Sequence, residues 1–152
     1  MEELEPHVDS PRILWVAALT IAVSVVAVLA VREVAVRVIH PAPSFTPLTL
    51  DPPIIDTFLC TVVAILVFVR IVFYPSSIRT WRRVAAVVLV LSFLPDVLLA
   101  TSHDMGGGWR EAAALMTMHV VVWAICVTLL PALAIPKHPP KTRALDRALS
   151  IL

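Results

Sequence analysis

Nineteen consecutive residues, Ile13 to Val31, carry no charge. At ~1.5 Å rise per residue, a helix of about that length crosses the roughly 30 Å hydrocarbon core of a bilayer. Three further apolar stretches follow, separated by prolines, glycines and charges. Lipid supplies no hydrogen bonds to a backbone, so each stretch is expected to form a helix that satisfies its own amides. Composition agrees: 59% of residues are hydrophobic, 15% are charged, and the mean hydropathy is +0.92. Soluble domains average roughly 45–50% apolar and about 25% charged. A chain of 152 residues has room for one domain and about four spans of ~20 residues.

The spacing predicts spans over residues 13–38, 54–74, 84–102 and 112–135, together a transmembrane domain over 13–135. Ser10 and Pro11 suit an N-cap and a first helical position. Residues 1–12 form an acidic leader lacking the positive n-region and cleavage site of a signal peptide, so the first helix is expected to be retained. Residues 40–53, HPAPSFTPLTLDPP, hold five prolines and predict a stiff, irregular loop. PSSIRTWRR reads as a short turn, and Pro95 as a kink in the third span. HDMGGGWRE, with all three glycines, connects the last two spans. The tail over 136–152 is basic and then amphipathic: Leu145, Leu149 and Leu152 share a face suited to a membrane surface.

Nine of the 12 basic residues fall on one side: Arg12, Arg70, Arg79, Arg82, Arg83, Lys137, Lys141, Arg143 and Arg147. The positive-inside rule then places both termini in the cytoplasm. The expected fold class is all-α, an integral membrane four-helix bundle, multi-pass in the cytoplasmic (inner) membrane. The high valine and alanine content suggests a prokaryotic, bacterial source. The lipid bilayer is the expected surrounding. A net charge of +1 leaves no basic footprint for nucleic acid, which is not an expected partner. Cys60 and Cys126 lie in different apolar segments at different depths, and no CxxC is present, so neither a disulfide nor a zinc knot is expected.

Charges inside such spans are costly, roughly 2.5–3.5 kcal/mol on insertion scales, so each requires a partner, water or a task. Twelve uncharged residues separate Arg83 from Asp96, and His119 holds a comparable position in the fourth span. Counted from the outer ends, Asp96 and His119 reach depths that agree within one turn. Adjacent antiparallel spans can therefore bring them together. Ser92, Asp96 and His103 share one stripe of the third span; Leu115, His119, Trp123 and Cys126 share one of the fourth. Asp96, His119, Ser92 and Trp123 are accordingly candidates for a ligand or proton site. For Asp96 the alternative is capping of backbone groups freed by Pro95; for His119 it is a satisfied core histidine. Glu33, Arg37, His40 and His103 are outer-rim polar candidates, with Glu33 and Arg37 spaced as an i,i+4 ion pair.

No catalytic residue is expected, because no nucleophile and base carry a sequence signature. No metal site is expected: His40, His103 and Asp104 lack tight ligand spacing. The triple glycine lacks a following P-loop lysine and reads as a turn. No cofactor is expected. Haem is disfavoured because His103 and His119 differ in depth by ~10 Å along the bundle.

The runs SFLPDVLLA and ALMTMHVVVWAICVTLLP, with Ser92, Pro95, Met118 and His119, resemble the DUF6069 family of small four-helix bacterial membrane proteins. That resemblance covers most of the chain after the proline-rich loop. It implies four helices, directs attention to His119 and assigns no activity. Asp96 stands where the resemblance implies an apolar residue. Taken together, the expected function is that of a non-enzymatic accessory or interaction subunit of a membrane assembly, with a membrane-protein partner or a homo-oligomer. The alternative is an outward-open binding protein or transporter component holding a cation, proton or small polar ligand near Asp96 and His119. A weaker alternative is a redox subunit contacting haem or quinone.

Overall fold

The computed structural model describes residues 10–72, 77–102 and 106–134. They form four α-helices, α1 (Ser10–Ile39), α2 (Asp51–Val72), α3 (Ser77–Ser102) and α4 (Trp109–Ala134), with a 3-10 turn at Thr46–Leu48. Each α-helix is long and apolar enough to cross a membrane. Large apolar side chains such as Val26, Val38, Leu66, Val90 and Leu98 point away from the bundle, as lipid-facing positions do. The leader up to Asp9, the tail from Ile135 and the Tyr74 end of the second span lie outside the described residues.

The helix ends follow local chemistry. His40 ends α1 in the left-handed conformation at φ +52°, and its amide donates to the Val36 carbonyl at 3.1 Å. This is the cap that glycine usually supplies, and Pro41 follows immediately. α2 opens with Asp51, Pro52 and Pro53; prolines are tolerated in a first turn whose amides lack helical partners, and an acid there complements the helix dipole. Gly108 caps α4: its carbonyl accepts from the Ala112 amide at 3.1 Å, and its amide donates to Glu111 Oε2 at 2.9 Å. That arrangement is the glutamate half of a capping box.

One sequence expectation is overturned. PSSIRTWRR was expected to be a turn, but α3 begins at Ser77, seven residues before the expected start at Val84. Trp81 is the cause. It is 2% exposed, and its ring meets Phe68 edge-on at 5.3 Å between centroids. Trp81 and Ala85 extend the buried stripe of the span by one turn, while Arg79, Arg82 and Arg83 stay exposed on the other faces. The stripe outweighs the charge run because no glycine or proline falls within residues 77–84.

α4 packs most extensively on α1 and α3, and α1 also packs on α2; consecutive α2 and α3 touch far less. The α1 stripe is Val16, Thr20, Ser24, Val28 and, further on, Ala35. Small side chains at four-residue spacing let backbones approach closely where burial of apolar surface supplies little drive. Two apolar clusters result. One, at the basic end, contains Val16, Ile65, Phe68, Trp81, Cys126 and Leu130. The other, at the end carrying the proline-rich loop, contains Val28, Phe45, Leu48 and Met118. Val122 packs against both.

Phe45 and Leu48 come from the loop itself, which folds back onto the bundle. Arg32 holds it there: Nε donates to the Leu48 carbonyl at 2.9 Å and to the Thr49 carbonyl at 3.3 Å. The α3–α4 connector completes the closure. A Cβ on Gly107 would overlap the Phe45 ring, so the loop and the connector approach as closely as they do only because position 107 has no side chain. Gly107→Ala is expected to displace Phe45 and cost about 1–3 kcal/mol, the range for overpacking. Thermal unfolding of the purified protein checks this, and an unchanged midpoint would contradict the close approach.

Candidate functional site

Asp96 lies on the buried stripe of α3, between Ala85 and Ala100, and is only 5% exposed. It directly follows Pro95, which sits inside the helix. Proline brings no amide, so the carbonyl four residues earlier, at Leu91, loses its helical donor. Ser92 is half-buried, and its hydroxyl donates to the Leu89 carbonyl at 2.7 Å; its proton is thus committed to its own helix.

α4 brings His119 to Asp96. Nε2 stands 3.4 Å from Asp96 Oδ2, with the imidazole side chain 35% exposed and the carboxylate 7% exposed. The separation is that of an ion pair, yet the geometry is not that of a hydrogen bond, and Oδ2 has no hydrogen-bond partner. The two groups therefore meet at one depth, as the spacing allowed, without saturating each other. Phe93 was missed in the sequence reading. Its ring lies 6.5 Å from the His119 ring, tilted by 55°, and its place three residues before Asp96 on the helix is the signal that points to it. Trp123, one turn along α4 from His119, is partly buried against the basic-end cluster, and its buried Nε1 has no partner.

The outer-rim candidates separate into distinct roles. Glu33 Oε1 meets Arg37 Nη2 at 2.9 Å, and Glu33 Oε2 lies 3.5 Å from Arg32 Nη1. Glu33 and Arg37 are exposed, at 50% and 77% of their side chains, and such pairs contribute about 0.3–0.5 kcal/mol. Arg32 matters more, because it holds the loop, and nothing in its local sequence announces a bond to carbonyls sixteen and seventeen residues away. His40 serves as the α1 cap. His103 and Asp104 lie outside the described residues. Arg12 was read only as a topological charge; its Nε donates to the Leu133 carbonyl at 2.8 Å, tying the start of α1 to the end of α4.

Among the described residues, no three His, Cys, Asp or Glu side chains converge as a metal centre would require. Cys60 is exposed and Cys126 buried, both as free thiols. A shallow groove lined by Ile13, Ile65, Phe68, Val72 and Leu130 opens at the basic end; its lining is apolar and remote from Asp96. Comparison of the chain with family models, curated proteins and solved structures finds no match in any of the three.

The site is thus a carboxylate and an imidazole, one on each of two packed helices. With one proton between them the pair is neutral overall. A second proton makes it a cation, and loss of the proton makes it an anion. Either change is costly in a low-dielectric surrounding unless something compensates it. His119→Ala is expected to cost about 1–3 kcal/mol, because it removes the imidazole that faces the buried Asp96 carboxylate. In an Asp96→Asn background the same change should cost clearly less. A double-mutant cycle on thermal stability measures the difference, and additive costs would show that the two side chains do not interact.

Proposed function

We propose that this chain is a multi-pass membrane protein that holds a proton or a small cation at the Asp96–His119 pair. The supporting observation is the approach of a buried carboxylate to a half-exposed imidazole at 3.4 Å, between two helices that each qualify as membrane spans. Ionisable groups at such positions commonly mark proton or ion sites. Here the carboxylate is the interior charge and the imidazole the group in contact with the surroundings. A proton leaving the pair uncovers a negative charge that a small cation can compensate, so proton and cation compete for one place. Nine of the chain's basic residues fall toward one end of the bundle or its flanking segments, which supports cytoplasmic termini and access to the pair from the opposite side. The resemblance to the DUF6069 family belongs to this reading only as a proposal of kinship.

The accessory-subunit reading retains one specific support. α3 touches α2 far less than α4 does α1, and its Val87, Val90, Leu91, Leu94 and Leu98 face outward. That face suits a partner helix as well as lipid. Photo-crosslinking from Leu91 and Leu98 in the native membrane tests it: a single cross-linked species of constant mass supports a partner, and labelling of lipid alone contradicts one.

The proton or cation reading is tested on the reconstituted protein by its thermal midpoint as a function of pH, in sodium, potassium or choline chloride. The wild-type midpoint is expected to depend on pH, with a smaller pH dependence when sodium or potassium replaces choline. Asp96→Asn should weaken both dependences and His119→Ala the first, while the other four histidines keep their own contribution. Variants that keep the full wild-type response to both would overturn the assignment.

A further inference from the structure

We infer that the bundle binds water in a polar layer at its mid-height, between the two apolar clusters, where each of the four helices contributes a buried polar atom. The atoms are Ser24 Oγ on α1, Thr61 Oγ1 on α2, Asp96 Oδ2 on α3 and Trp123 Nε1 on α4, all buried and all without a hydrogen-bond partner. Ser24 and Thr61 are wholly buried, at 0% exposure, and Asp96 is 5% exposed.

Helix register places them within about two turns of one another along the bundle. α1 and α4 run antiparallel, pinned by the Arg12–Leu133 bond and by the shared cluster of Val28 and Met118. Counting from those contacts puts Ser24 within a turn of Trp123. Val16 shares its cluster with Ile65 and Phe68, and the same count on the antiparallel α2 brings Thr61 to the Thr20–Ser24 level. Asp96 faces His119, so it stands one turn, about 5–6 Å, toward the loop end from Trp123.

The hydroxyls behave differently from an ordinary helix hydroxyl nearby. Thr20 donates to the Val16 carbonyl at 2.7 Å, which is the usual resolution for a buried threonine on a helix. Ser24 and Thr61 make no such bond. Buried polar groups are nearly always satisfied by protein or by ordered water, and a buried water requires a polar site offering two to four partners. This layer offers a complementary set: the Trp123 N–H donates, the Asp96 carboxylate accepts, and the two hydroxyls do either. Water donating to Asp96 Oδ2 would supply the bond that His119 does not. The remaining orphan, Trp81 Nε1, belongs to the basic-end cluster beside Phe68 and lies outside this layer. The inference goes beyond the proton or cation reading and stands without it.

Two measurements on the full chain in bilayers test the layer, and the first uses neither Asp96 nor His119. A truly unpartnered hydroxyl destabilises, so an isosteric Thr61→Val change would raise the thermal midpoint or leave it unmoved. A hydrated hydroxyl stabilises, and the midpoint should then fall by about 2–4 °C. Thr61→Val and Trp123→Phe should also be non-additive, because both would draw on the same water. Infrared spectra in H2-18O should show an isotope-sensitive O–H stretch of bound water that weakens in Thr61→Val. A higher or unchanged midpoint overturns the inference, as do additive costs. Coupling without an isotope-sensitive band does so equally, since it would mean direct bonds among the side chains.

Discussion

A backbone in hydrocarbon has to satisfy its amides within its own segment, a constraint that four helices long and apolar enough to cross a membrane meet. In lipid such helices would have little hydrophobic drive to associate, since lipid is as apolar as their surfaces. What remains is close packing and polar contact. α1 and α4 pack extensively on each other, and both carry small buried side chains, Thr20, Ser24 and Ala35 on α1 and Ala112, Ala114 and Ala134 on α4. Arg12 and Arg32 provide polar contact, each placing a guanidinium on carbonyls that lie outside regular helix pairing. Those carbonyls would otherwise remain orphaned at helix and turn ends.

The two ends of the bundle are closed differently. At the basic end, Trp81 and Phe68 meet edge-on with Leu130 and Ala134 in the same cluster. At the other end the proline-rich loop supplies Phe45 and Leu48 to the interior, and Gly107 makes room for the Phe45 ring. Between these closures lies most of the buried polarity. By helix register, Asp96, His119, Ser24, Thr61 and Trp123 fall within about two turns of one another in the middle of the bundle. Confining polar atoms to one band lets them share partners, and it leaves the apolar clusters above and below undisturbed.

Much of the architecture was legible in advance, for specific reasons. Uninterrupted apolar runs of span length admit few folds, so the helix number and the antiparallel α3–α4 pair could be read directly. Depth counting brought Asp96 and His119 together because rise per residue is nearly constant in a helix. The Glu33–Arg37 pair followed from i,i+4 spacing. The start of α3 was misread because three arginines resemble a connector, whereas a tryptophan buried by a neighbouring helix decides the matter. His40 was read as an outer-rim polar candidate; its backbone conformation also makes it the cap of α1.

Composition and the spacing of charges alone determined that this chain forms four apolar helices with one aspartate and one histidine at matching depth. Those properties are local, set by backbone hydrogen bonding and by counting residues along an axis. Only the tertiary structure decided that α4 sits between α1 and α3, and that Arg32 reaches the loop. It also decided that Asp96 and His119 meet without a full hydrogen bond, and that every helix turns at least one unpartnered polar atom inward. These outcomes depend on the rotation of each helix about its own axis, which packing against its neighbours sets and which no single segment encodes.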